Sequence, residues 1–383
     1  MTLLLPTWRR AVLKVGSSLL SGPDGQLSDR YASALAGFVA HSRARGREVV
    51  IVSSGAVSAG RGLLQGVDGG LTQRQALAAL GQAPMIGLWQ RLLPMPVGQV
   101  LLSHDDLRNR RRYLNARATL RELLRLGALP VVNENDTVAV DELKLGDNDN
   151  LAAVVAALVD ADVLMIATDV AGLYTGHPER DSDARLLTTV AAITPEIMAL
   201  AAPETGLLGT GGMRTKLEAA GKAAAAGIAT VLFSGRDPDA VAALCEDRLR
   251  GTLIAAHGDR LLARKLWLRH APASVGALRV DAGAERAVLA RGASLLPGGI
   301  RAVQGDFSRG DLVDILPEGG SAPVARGLVQ YAASDLRRII GRHSRDIESV
   351  LGFRYGESVV HRDDLVLLAR IEAPSETSDE NTP

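Results

Sequence analysis

Cysteine is almost absent from this chain. One cysteine, Cys245, in 383 residues excludes an intrachain disulfide framework and a multi-cysteine metal site, and it reads as a small core residue. Aromatic side chains make up only 3% of the sequence, so its cores must be built from Leu, Val and Ala. Neither sign of charge dominates: 43 basic and 43 acidic residues give a formal net charge of zero. That balance argues against a chain whose main task is gripping a nucleic-acid backbone, although a local basic patch is compatible with it. No apolar run reaches membrane-spanning length, since Leu151 to Leu158 is hemmed in by Asp147, Asp149 and Asp160. The first residues lack the basic region, apolar segment and small-residue cleavage site of a signal peptide, so the expected location is the cytoplasm, with no membrane partner. The seven histidines follow no metal-ligand spacing and form no convincing nucleophile triad.

Lysine is also scarce. Against 38 arginines stand only Lys14, Lys144, Lys216, Lys222 and Lys265. Where arginine supplies nearly every positive charge, the few lysines mark positions that call for a compact ammonium rather than a planar guanidinium. Lys14, Lys144 and Lys216 lie in or beside loops rich in Gly or Asp.

What is present is an alternation. Short apolar runs (Ala11 to Val15, Val49 to Val52, VGQVLL, ALPVV, DVLMIA, IATVLF) are separated by polar turns and by stretches with helical spacing. Buried strands interleaved with helices predict a mainly parallel sheet in an α/β domain spanning residues 1–260. Polar residues gather beyond the strand ends, where open α/β sheets bind ligands. Residues 261–274 read as a linker. From 275 to 370 the texture changes to short strands and glycine turns, which predicts a small, mainly β, barrel-like domain with a helix near Ser334 to Ile340. The acidic tail, 371–383, is expected to be disordered.

Five clusters carry the chemistry. Lys14-Val-Gly-Ser-Ser18 closes the first strand, and a lysine there is costly to bury unless it faces an anion. Ser53-Ser54-Gly55-Ala56 forms a second turn of small residues suited to a carboxylate or phosphate. Asn133-Glu-Asn-Asp136 and Gly146-Asp-Asn148-Asp149-Asn150 bring together four carboxylates and four carboxamides. That mixture needs a cation or cationic ligand, and it suits a zwitterionic amino acid. Thr168-Asp169 ends another strand. Gly209-Thr210-Gly211-Gly212-Met213-Arg214-Thr215-Lys216 leads into a helix. It is either a phosphate loop outside the Walker spacing or a glycine-rich surface turn. Together the clusters describe a kinase-like α/β enzyme in which lysines and glycine turns hold phosphates, while acids serve Mg2+ or an amino group.

KVGSSLL, VIVSSGAVSAG, VVNENDTVAV, KLGDNDNLAA, TDVAGLYT and GTGGMRTKLEAA, in this order and spacing, resemble the bacterial glutamate 5-kinase family over about residues 8–370. RGASLLPGGIRAVQGDFSRGDLV is similar to the PUA domain that many members carry. The resemblance implies a three-layer amino-acid kinase fold followed by a PUA barrel. It also implies ATP-dependent phosphorylation of the γ-carboxylate of L-glutamate to L-glutamate 5-phosphate, the first step of proline synthesis, assisted by Mg2+. Lys14 and Lys216 match the catalytic lysines, and Asp149 matches the acid expected to organise them and to assist at the metal. Ser54, Asp136 and Asn148 match glutamate-binding positions. Thr168, Asp169 and the loop Thr210, Gly211, Gly212, Met213, Arg214, Thr215 and Lys216 match the ATP site, to which Lys14 also belongs. The motifs do not decide whether Arg214 meets the nucleotide or points outward, and they name no side chain as a direct metal ligand. Feedback inhibition by L-proline and homo-oligomers, dimers or tetramers, are further expectations from the family.

Two alternatives define the tests. Another amino-acid kinase would take N-acetylglutamate, aspartate, carbamate or a nucleoside monophosphate as acceptor. An RNA-binding protein would act through its PUA-like part. From Val275 onward, however, thirteen arginines and no lysine face sixteen acids, which is not a strongly basic module. Arg309, Arg337, Arg338, Arg342 and Arg345 are the candidates for a local patch.

Overall fold

The structure is a computed structural model that describes residues 2–64, 70–138, 148–176, 178, 180–201, 212–256 and 274–368. The chain divides into two compact units, Met1–Arg260 and Leu261–Pro383. Most of the expected linker and the whole expected tail lie outside the described residues.

In the first unit, strands and helices alternate as the apolar runs predict. The order is β1 (Leu3–Leu4), β2 (Arg10–Val15), α1 (Ala32–Ala44), β3 (Glu48–Ser53), α2 (Ala56–Leu63), α3 (Leu71–Leu92) and β4 (Val97–Leu102). Next come α4 (His104–Arg108), α5 (Arg110–Arg125), β5 (Leu129–Glu134), α6 (Asn148–Leu158) and β6 (Val163–Thr168). The unit ends with β7 (Thr189–Val190), α7 (Pro195–Ala199), α8 (Met213–Ala225), β8 (Ala229–Ser234), α9 (Pro238–Cys245), β9 (Arg248–Leu249) and β10 (Gly251–Ile254).

Eight of these strands form one sheet in the order β4-β5-β3-β2-β6-β8-β10-β7. All neighbours from β4 to β8 run parallel, whereas β10 returns antiparallel to β8. Side chains alternate across a strand, so β2 feeds both faces. Ala11, Leu13 and Val15 enter a core with Leu35 and Phe38 of α1, Trp89 of α3 and Leu244 of α9. Val12 enters the opposite core with Leu120 of α5, Val155 of α6 and Leu217 of α8. Helices on both faces give the three layers, and because Lys14 shares the parity of Val12, it falls on the α6–α8 face.

Two glycines set how α2 and α3 pack. A Cβ on Gly60 would come 2.0 Å from the Leu77 carbonyl oxygen, and one on Gly81 would come 1.7 Å from that of Ala56. The backbones therefore touch where a side chain would stand. The sequence reading assigns no element to Leu71–Leu92, which is a 22-residue helix with Pro84 inside it.

The second unit is a five-stranded sheet in the order β12-β11-β13-β14-β15. Its elements are β11 (Gly276–Val280), α10 (Ala282–Arg291), β12 (Ile300–Gly305), β13 (Leu312–Pro317), β14 (Ala325–Val329), α11 (Ala333–Ile339), α12 (Ile347–Leu351) and β15 (Val360–Leu367). Strands β11 and β13 pair parallel and the other neighbours pair antiparallel. The strand-and-turn texture expected across Ala282–Arg291 is instead a helix. Asp281 caps it by accepting from the Ala284 amide, and Gly292 ends it in the left-handed region at φ 57°.

Candidate functional site

The parallel topology brings the C-terminal ends of β2, β3, β5 and β6 side by side, and the polar clusters of the sequence gather there. Lys14, one residue before the end of β2, is only 6% exposed. Its Nζ lies 2.7 Å from Asp149 Oδ1. A Cβ placed on Gly16 would stand 3.7 Å from that same Nζ, so the ammonium curls back over the turn that follows the strand.

Asp149 sits in the first turn of α6, where a carboxylate complements the helix dipole. It is 2% exposed. From the facing helix α8, Lys216 Nζ donates to Asp149 Oδ2 at 3.2 Å and Thr215 Oγ1 donates to the same oxygen at 2.8 Å. Burial pushes this carboxyl up. The charges of Lys14 and Lys216, together with hydrogen bonds from Lys14 and Thr215, outweigh burial and hold it at about 2. Residues read from three separate motifs thus meet at one carboxylate.

The amide of Asn148, the preceding residue, faces the other way. Its Nδ2 donates to Ser54 Oγ at 2.9 Å and to Asn133 Oδ1 at 3.0 Å. Among the described residues its Oδ1 is buried without a hydrogen-bond partner, an acceptor suited to a ligand N–H or ammonium. The Ser54 amide donates to the Val15 carbonyl at 3.0 Å, tying this turn to the end of β2. Gly55 then takes φ 105°, where a Cβ would press on Leu20 at 3.1 Å, and α2 begins.

Asp136 follows β5 in a short 3-10 turn and is buried. Burial raises its carboxyl to about 6, against the opposing charge of Arg74 on α3. Arg74 is a neighbour the sequence reading did not single out. No local signal marked it, because Gly81, Pro84 and Gly87 disguise α3 as a non-helical stretch.

Thr168 and Asp169 end the adjacent strand β6. Thr168 Oγ1 donates to Asp169 Oδ1 at 3.0 Å, and Arg236 Nη2 approaches Asp169 Oδ2 at 4.0 Å. In the glycine loop, Thr210 and Gly211 lie outside the described residues, as do Lys144, Gly146 and Asp147. Gly212 caps α8 in extended backbone, φ −77° and ψ −173°. Met213 packs on the core. The Arg214 side chain is 67% exposed and pairs along its own helix, Nε to Glu218 Oε1 at 3.2 Å, so it points away from the lysine cluster.

Among the described residues, no group of three or more His, Cys, Asp or Glu is placed to hold a metal ion, and no helix is long and apolar enough to cross a membrane.

Comparison with known proteins adds the family. The amino acid kinase family model matches residues 9–234, and the PUA domain model matches residues 276–351. The protein named glutamate 5-kinase in Xylella fastidiosa is 62% identical over 370 residues, covering 95% of this chain and 96% of its own. The one in Xanthomonas oryzae pv. oryzae is 64% identical over 362 residues, covering 93% of this chain and 100% of its own. Among solved structures, UMP kinase from Bacillus anthracis aligns over 66% of this chain and 98% of its own. Its TM-score is 0.46 at 14% identity, too loose a likeness to bear on the reaction.

An open α/β sheet with this match defines a phosphotransferase. The chain belongs to the amino acid kinase family, among the relatives named glutamate 5-kinase, and carries a PUA domain.

Proposed function

We propose that this chain transfers the γ-phosphoryl group of ATP to the γ-carboxylate of L-glutamate, forming L-glutamate 5-phosphate for proline synthesis. The observation that carries this reading is the convergence of Lys14 and Lys216 on Asp149, beside the Ser54–Asn148 pair.

A carboxylate attacking a triphosphate needs no general base, because it loses no proton. What opposes the reaction is charge repulsion between the two anions. Lys14 and Lys216 stabilise the charge on the transferring group, and Asp149 holds both ammoniums in place from a dry position. Preorganisation of this kind is worth more inside a buried site than in water. Asn148 and Ser54 orient the amino acid, and Asp136 faces its ammonium. The α8 N-terminus from Gly212 to Lys216, with Thr168 and Asp169 at the neighbouring strand end, forms the nucleotide side.

Mg2+ prefers oxygen ligands. Among the described residues bonded at the lysine pair, Asp149 and Thr215 offer oxygens, and both Asp149 oxygens already face ammoniums. This donor set fits an ion held mainly by the nucleotide's own phosphate oxygens and by water. When bound, the ion shields phosphate charge.

The test is hydroxamate formation with ATP across L-glutamate, N-acetylglutamate, aspartate and carbamate, alongside UMP phosphorylation. Glutamyl hydroxamate should form, and Lys216→Ala should abolish most of it. Turnover on another acceptor with none on glutamate would overturn the substrate assignment. Near-normal turnover by Lys216→Ala would overturn the role given to the lysine.

A further inference from the structure

We infer that Trp89 is a positioning residue for the amino-acid side of the site, acting through Ser53 on the Ser54 turn. The inference rests on the reading of Ser54 as part of the glutamate site. Trp89 is fully buried on α3, so its ring touches no substrate. Its Nε1 donates to Ser53 Oγ at 2.9 Å. Ser53, the last residue of β3, donates from that hydroxyl to the Ser54 carbonyl at 3.0 Å. The next groups along the chain are the Ser54 hydroxyl, which accepts from Asn148, and Gly55, held in the left-handed region.

Ser53 is also the least expected polar group in its strand. Its neighbours Val49 to Val52 are apolar and all buried, and a valine there would suit the core equally well. A buried hydroxyl needs partners on both its donor and acceptor sides. Here the indole supplies one and the Ser54 peptide takes the other. The carbonyl orientation at Ser54 is therefore set by a ring on the far helix. Helix α3 fixes the same turn a second time, since Gly81, about two turns before Trp89, presses against the start of α2 at the Ala56 carbonyl. Neither contact reaches Lys14, Lys216 or Asp149, which lie on the opposite face of the sheet. The effect should fall on glutamate binding and leave phosphoryl transfer intact.

The experiment is steady-state kinetics of Trp89→Phe, Ser53→Ala and the double variant, with KM for glutamate, KM for ATP and kcat measured separately. Each single variant should raise KM for glutamate by roughly three- to tenfold, the size of one neutral hydrogen bond. The kcat and the KM for ATP should stay within about twofold. The double variant should be no worse than the singles, because both remove the same link. Equal losses in kcat, an unchanged KM for glutamate, or additive effects would overturn the inference. If Trp89→Phe does not fold, Ser53→Ala, which deletes one hydroxyl, carries the same test. A wild type inactive on glutamate would instead strike the proposed function, so the two failures are distinguishable.

Discussion

Lys14 and Asp149, brought together from the first strand and the first turn of α6, form an ion pair of 2.7 Å with both side chains almost wholly out of solvent. Lys216 completes the group from α8 at 3.2 Å. A buried pair of this kind is poor evidence of stability, because desolvation offsets much of the attraction. Its worth lies in holding two ammoniums at fixed positions on the α6–α8 face of the sheet.

Asp149→Asn should therefore fail in two ways. Both lysines lose their shared counter-charge, and breaking a buried pair in this manner costs about 3–5 kcal/mol. Urea unfolding should show it. The kcat should fall by roughly a hundredfold or more as the lysines lose their placement. A variant that kept kcat within threefold would rule out the organising role.

Acid should remove the same contribution. The Asp149 carboxyl is held at about 2, below its unfolded value of about 3.9. Its stabilisation is therefore complete above the unfolded value and is lost as pH falls from about 4 towards 2. The stability gap between wild type and Asp149→Asn should narrow across that window in acid-unfolding curves. A gap that stayed constant with pH would contradict the pairing.

Asp136 has the opposite sign. Burial raises its carboxyl to about 6, so the folded chain binds this proton more tightly than the unfolded one does. Its contribution is fully present below about pH 4 and is lost as pH rises through about 6. For the role proposed for Asp136, opposite the substrate ammonium, the ionised form is the useful one. The kcat/KM for glutamate should drop as pH falls below about 6, while kcat at saturating glutamate changes less. Asp136→Asn should flatten that limb at a low value. An unchanged acid limb in the variant would assign the titration to another group.

The strand ends were legible because buried parallel strands are nearly continuous apolar runs, and a lysine or an Asn-Asp cluster interrupts them visibly. Pattern and spacing alone did not say which polar residues meet; the family resemblance grouped Lys14, Lys216 and Asp149, and the fold supplies the reason. Lys14, Asp149 and Lys216 come from distant segments, and only the strand order and the parity of β2 put them on one face. Trp89, Arg74 and Gly81 escaped notice together because all three belong to α3. Gly81, Pro84 and Gly87 all disfavour a helix locally, and packing against α2 overrides that preference. The helix at Ala282–Arg291 was hidden differently: it lies in a stretch whose glycines suggest strands and turns, and its caps, Asp281 and Gly292, are residue types common in turns.

Two glycines give the sharpest contrast in what a side chain would meet. A Cβ at Gly81 would meet the Ala56 carbonyl oxygen at 1.7 Å, and backbone cannot swing aside as a side chain can. Gly81→Ala must push α2 away from α3, at a cost on the order of 1–3 kcal/mol for an overpacked contact, and it should disturb the Ser54 turn at the start of α2. A Cβ at Gly212 would meet nothing within 4 Å, and its φ of −77° is open to any residue. Gly212→Ala should lower the thermal midpoint by no more than about 2–4 °C, the cost of a poorer helix N-cap. Any defect it shows should then appear in KM for ATP, because what the methyl group obstructs is a ligand approaching the α8 N-terminus. Thermal unfolding and nucleotide kinetics on the two variants separate these roles. An unperturbed Gly81→Ala would remove the α2–α3 contact from the account of how the site is held, and an unaltered KM for ATP in Gly212→Ala would mean that the nucleotide does not approach the α8 N-terminus at that residue.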